Sequence, residues 1–209
     1  MLPGTAGSLG DVHTVPGRRP RVLPAAPGEA AVLIAAFTGV LYLVEAADTV
    51  LGGQLEGAGV VPREVDGLDG VLWAPLLHDT WHHLVANTLP VLVLGFLVLA
   101  DGVRRFAAVT AVVWIVGGVG TWLTGGGGTV HLGASVLVFG WLVFLLARGF
   151  WARDAAQIAL AALLLVVWGG ALWGVLPTTP GVSWQGHLFG ALGGLLAARL
   201  TAPARPRSG

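Results

Sequence analysis

The stretch PLLHDTWHHLVANTLPVLVLG, residues 75–95, sets His78, His82 and His83 ahead of an apolar run and carries Asn87 into it. Two more polar groups interrupt apolar runs downstream, Ser135 in LGASVLVFG and His187 in WQGHLFGALGG. Side chains of these types handle protons and charge. A serine hydroxyl is a weak nucleophile until a base takes its proton, and neutral histidine is a base in the useful pH range. An imidazole and a carboxamide four residues apart share a helical face, and both carry N–H donors. Each residue also has a plain structural use. Serine caps helix N-termini, an interior histidine packs or hydrogen-bonds, and asparagine joins two helices.

The elements that carry these residues are those of a membrane protein. The 209 residues are 55% hydrophobic and 11% charged, with a mean hydropathy of +0.81, too little polar surface to coat a soluble globule of this size. Net charge is zero and no basic run points to nucleic acid. Without cysteine there is no disulfide framework, thiolate metal site or thiol nucleophile. Residues 1–29, rich in Gly, Pro and Arg, read as a disordered tail without a signal-peptide core. Six apolar stretches follow, near 30–51, 83–100, 106–124, 134–147, 155–176 and 186–202. Most approach the ~20 residues that cross a bilayer as a helix. The expectation is an all-α, six-helix polytopic bundle over 30–202, with 203–209 a short second tail.

All basic residues are arginine. With six crossings, Arg18, Arg19, Arg21, Arg104, Arg105, Arg148, Arg153, Arg199, Arg205 and Arg207 fall on one side and Arg63 on the other. The positive-inside rule then places both termini in the cytoplasm, and a cell membrane is the default location. Loop 52–77, the Gly-rich link 125–133 and the link 177–185 face outward.

Helices two, four and six enter from outside. At ~1.5 Å per residue, Ser135 stands about 20 Å from Arg148, His187 about 18 Å from Arg199 and Asn87 about 21 Å from Asp101. If those charges mark the inner boundary, the three polar residues share one level and could meet. The fourth stretch has only about thirteen residues before Arg148 where ~20 are usual, so the irregular GGGGTVHLGAS (125–135) must descend to it, beside a water-filled cavity. His187, Gly190 and Gly194 lie on one face, which glycine opens to a close neighbour, here the fourth helix. Phe139, one turn after Ser135, is placed to stack on the imidazole.

Taken together, His78, His83 and Asn87 (H-x4-H-x3-N), Gly133-Ala134-Ser135, and His187-x2-Gly190-x3-Gly194 resemble the rhomboid intramembrane serine proteases over about residues 30–202. The resemblance implies that Ser135 is a nucleophile and His187 its general base, a dyad without aspartate. It implies that His83 and Asn87, with the Ser135 backbone N–H, form the oxyanion hole. His78, Gly133 and Phe139 would line a hydrated pocket. Neither metal nor cofactor is implied, and the partners are the bilayer and transmembrane protein substrates.

Two departures stand against the pattern. Val136 follows the serine where the family's G-x-S-G motif has glycine, and loop 52–77 lacks the tryptophan–arginine pair of many relatives, Trp73 being followed by Ala74. A proteolytically inactive relative that binds membrane helices is therefore the alternative. A metalloprotease reading rests on HDTWH (78–82), where Asp79 takes the glutamate position of H-E-x-x-H one methylene short. G-A-S-V-L is no nucleophile elbow, and the glycines 125–128 lack the Lys and Ser/Thr of a phosphate loop.

Overall fold

A computed structural model describes residues 21–202. The tails expected at 1–20 and 203–209, with Arg18, Arg19, Arg205 and Arg207, lie outside the described residues. Seven α-helices follow in order: α1 (Pro27–Val50), α2 (Gly70–Trp73), α3 (Trp81–Val98), α4 (Val103–Thr124), α5 (Ser135–Ala152), α6 (Ala155–Trp168) and α7 (Trp184–Leu200). Since α2 is a single turn inside loop 52–77, six long helices make an all-α bundle, as the hydropathy pattern predicts.

Five of them, α1, α3, α4, α5 and α6 with their short 3-10 extensions, are long and apolar enough to cross a membrane. The sixth, α7, has 17 residues, about 26 Å at 1.5 Å per residue. It packs between α4 and α5 through glycines. A Cβ at Gly190 or Gly194 would collide with the carbonyl oxygen of Val136 or Gly140 on α5, and one at Gly193 would lie 2.9 Å from Val113 Cα on α4. This is the close approach expected of the Gly190/Gly194 face.

Local chemistry sets the helix starts. The Thr80 hydroxyl accepts from the His83 N–H at 3.2 Å and caps α3. The Asp154 carboxylate does the same for α6 from Gln157 at 3.0 Å, and Ser183 for α7 from Gly186 at 3.4 Å. Between α3 and α5 the core holds Leu84, Leu94, Leu137 and Trp141. The outer faces stay apolar, with Leu43, Leu163 and Val166 exposed.

Two expectations need correction. The fourth spanning stretch is not short, because α5 runs past Arg148 to Ala152. Arg148 is buried, and its Nη2 donates to the Arg21 carbonyl at 3.2 Å with Asp101 close by at 3.8 Å. Arg148 thus meets Asp101, another charge taken to mark the inner boundary. The Arg21 carbonyl also accepts from Gln157 Nε2 at 2.8 Å, and the Arg21 N–H donates to Asp101 at 3.1 Å. Residues 21–29 are thus part of the fold and not of a tail, and α1 begins at Pro27.

Candidate active site

Ser135 is the first residue of α5, and Ala134, which has no side chain to cap with, holds the N-cap position. The serine hydroxyl is therefore free of the capping role. Its Oγ lies 2.9 Å from His187 Nε2, while His187 Nδ1 lies 2.9 Å from the Gly174 carbonyl oxygen. A carbonyl only accepts, so Nδ1 carries the imidazole proton and Nε2 presents its lone pair to the serine hydroxyl. The hydroxyl donates. Phe139 stacks on the imidazole with centroids 4.0 Å apart and planes within 7°.

Gly174 belongs to the 3-10 segment Gly169–Val175 that continues α6. A Cβ there would sit 3.0 Å from Phe139 Cζ and 3.1 Å from His187 Nδ1, so glycine is what lets this carbonyl approach the ring. No motif in the sequence points to Gly174, because the bond uses only backbone.

The opposite wall comes from the start of α3. His83 turns Cε1 and Nε2 to the Cβ position of Gly133, 2.7 and 2.9 Å away, and Ser135 Oγ is 3.6 Å from the same point. Gly133 has φ +119°, a left-handed conformation that side chains avoid. His83 Nδ1 is 2.8 Å from Asp79 Oδ1. Asn87 is buried, and one amide N–H goes to the His83 carbonyl at 3.2 Å, which leaves its second N–H free.

His78 is 2% exposed. Its Nε2 accepts from the Ala134 N–H at 3.4 Å and its ring meets His83 edge-on, with centroids 5.1 Å apart. Burial, and then the charge of His83, push its imidazole down to about 4. His78 is therefore a neutral prop for the start of α5. His82 is exposed, and His78 precedes the first turn of α3. The two do not share a helix face as H-E-x-x-H requires.

The Gly-rich link closes the site from a third side. It is irregular, as expected, and is fastened by Gly133 N–H to the Ala74 carbonyl at 2.8 Å and by the Val60–His131 pair at 2.8 and 2.9 Å. A cavity of about 30 Å³ opens beside Ser135, lined by Thr121, His131, Gly133 and Ser183 among others. It is large enough for one water. His131 bonds Ser183 Oγ at 2.7 Å and Thr129 Oγ1 at 2.9 Å, and burial pushes its imidazole down.

A sequence profile described as Rhomboid domain matches residues 68–204. The chain belongs to the rhomboid family. This rhomboid is 50% identical over 181 residues to uncharacterized proteins of Mycobacterium bovis and Mycobacterium tuberculosis, a match covering 82% of this chain and 75% of theirs. It is 48% identical over 183 residues to an uncharacterized protein of Mycobacterium leprae, covering 83% and 72%. The chain is a multi-pass membrane protein of this family, and the matched region spans its α3, α5 and α7 motifs.

Val136 is the departure that the structure explains best in this rhomboid. Its Cγ2 occupies the place where Gly117 of α4 would carry a Cβ, and it lies 3.1 Å from the same position on Gly190. The branched side chain thus fills space that a glycine on α4 provides. Ser135 and His187 remain at hydrogen-bond distance.

Proposed function

We propose that this rhomboid is an intramembrane serine protease that hydrolyses peptide bonds in or beside the transmembrane segments of other membrane proteins. The observation that carries this reading is the 2.9 Å Ser135 Oγ–His187 Nε2 hydrogen bond, with Nδ1 held on the Gly174 carbonyl. Ser135 Oγ attacks the scissile carbonyl carbon while its proton passes to His187 Nε2. The carbonyl oxygen becomes an oxyanion, received by the first N–H groups of α5, the free Asn87 N–H and His83. His187 then protonates the leaving amine. Water repeats the sequence on the acyl-enzyme, giving up its proton to His187 and releasing the acid.

A spanning helix hides its carbonyls in its own hydrogen bonds, so a substrate must unwind locally, which Gly and Pro near one membrane face favour. The positive-inside rule supports one membrane domain with both termini cytoplasmic and the site toward the outer face, and a cell membrane is the default location. The fit of Val136 against Gly117 supports an enzyme over an inactive relative. The test is reconstitution in liposomes with a single-span substrate carrying Gly and Pro near its outer end. Cleavage by wild type and none by Ser135→Ala is expected. A wild type that leaves the substrate whole beside an active Val136→Gly variant overturns the proposal in favour of the inactive relative.

A further inference from the structure

Asp79 and His83 form a pair that the serine–histidine dyad does not use. Asp79 precedes the Thr80 cap, where the positive end of the α3 dipole favours a carboxylate. It receives the Thr80 hydroxyl at 3.2 Å and faces His83 Nδ1 at 2.8 Å. Burial pushes the Asp79 carboxyl up, but the His83 hydrogen bond and charge, with the Thr80 hydroxyl, outweigh it and hold the group below the usual carboxylate range. An ionised carboxylate accepts only, so Nδ1 must carry a proton. The other edge of the ring, Cε1 and Nε2, faces Gly133 and the Ser135 hydroxyl. Nε2 can donate there only if the ring carries a second proton.

We infer that Asp79 is a positioning residue that holds His83 as an imidazolium, with its Nε2–H aimed at the oxyanion formed on Ser135. The inference rests on the protease reading and deepens it: the oxyanion hole contains a cation. Other titratable groups lie around the pair. His78, from the α2–α3 connection, is neutral. The Glu45 carboxyl of α1 lies within electrostatic reach of Asp48, Glu56, Asp79 and His83. Glu45 is buried, and its Oε2 has no hydrogen-bond partner. From α7, His187 is also within electrostatic reach and presents a neutral ring edge to Ser135. The ionised Asp79 carboxylate, 2.8 Å from Nδ1, is the charge that favours a positive ring.

Two readouts test this on the full chain in detergent. In nitrogen-15 histidine spectra at neutral pH, wild-type His83 should carry protons on both ring nitrogens, and in Asp79→Asn the doubly protonated form should become a minority. The rate of labelling by a fluorophosphonate, whose P=O takes the oxyanion position as Ser135 Oγ bonds phosphorus and fluoride leaves, should fall about tenfold in Asp79→Asn. Asp79→Glu should recover part of that rate. A bare Nδ1 on wild-type His83, or an unchanged labelling rate in Asp79→Asn, overturns the inference. A wild type that takes no label at all instead overturns the protease reading, and the histidine spectra still decide the role of Asp79.

Discussion

The Nδ1 atom of His187 lies 2.9 Å from the carbonyl oxygen of Gly174, which does for this imidazole what a carboxylate does in a three-residue triad: it fixes the tautomer and the ring angle. A neutral acceptor stabilises the imidazolium less than a carboxylate does, so geometry must supply more of the effect. Gly174→Ala tests that. Its Cβ would press on Phe139 Cζ and His187 Nδ1 at 3.0 and 3.1 Å, and a ring displaced by about 1 Å can cost ~10²-fold in rate. We expect at least a tenfold loss of serine-probe labelling with little change in Tm. Wild-type labelling would mean that the carbonyl contact is dispensable.

Val136 and Gly117 should behave as one unit. Val136→Gly should change activity less than tenfold while lowering stability by about 1–2 kcal/mol through lost packing and helix propensity. Gly117→Ala should destabilise by a similar ~1–3 kcal/mol, because its Cβ runs into Val136 Cγ2. The double variant should lose less than the sum, as contacting residues do. Additive losses in thermal unfolding would show that the two do not share the space.

For the α3 wall, Asn87→Ala should lower kcat by roughly 10²–10³ with little change in KM, as loss of an oxyanion donor does. His82→Ala should do little, since His82 is exposed on another face of α3. A near wild-type kcat in Asn87→Ala removes that residue from the oxyanion hole.

Stability should depend on acid through His78. Its imidazole titrates near 6.5 unfolded and near 4 folded, so between those values the unfolded chain binds the proton first. The contribution is complete above about pH 6.5 and lost as pH falls toward 4, up to roughly 3 kcal/mol at 1.36 kcal/mol per unit. His131, also pushed down by burial, acts in the same direction. Tm measured in detergent should fall between pH 7 and pH 5, and His78→Gln should flatten that slope. An unchanged slope in the variant assigns the acid sensitivity elsewhere.

Periodicity and charge were enough to read the six long helices, the glycine face of α7 and the stacking of Phe139 on His187, because each follows from side-chain type at fixed helical spacing. The level shared by Ser135 and His187 could be counted along the chain from Arg148 and Arg199. What could not be read depends on backbone or on distant partners. The Gly174 carbonyl has no side-chain signature, and Gly117 has meaning only once α4 is laid against Val136. The anchoring of Arg21 by Asp101, Arg148 and Gln157 joins residues up to 136 positions apart, far beyond any local pattern.

The most direct measurement is covalent labelling of the purified full-length protein with a fluorophosphonate, in wild type, Ser135→Ala and His187→Ala, with and without a chelator. A serine–histidine dyad predicts labelling of wild type, its loss in both variants and indifference to the chelator. Labelling that survives Ser135→Ala, or activity that a chelator abolishes and zinc restores, would contradict it.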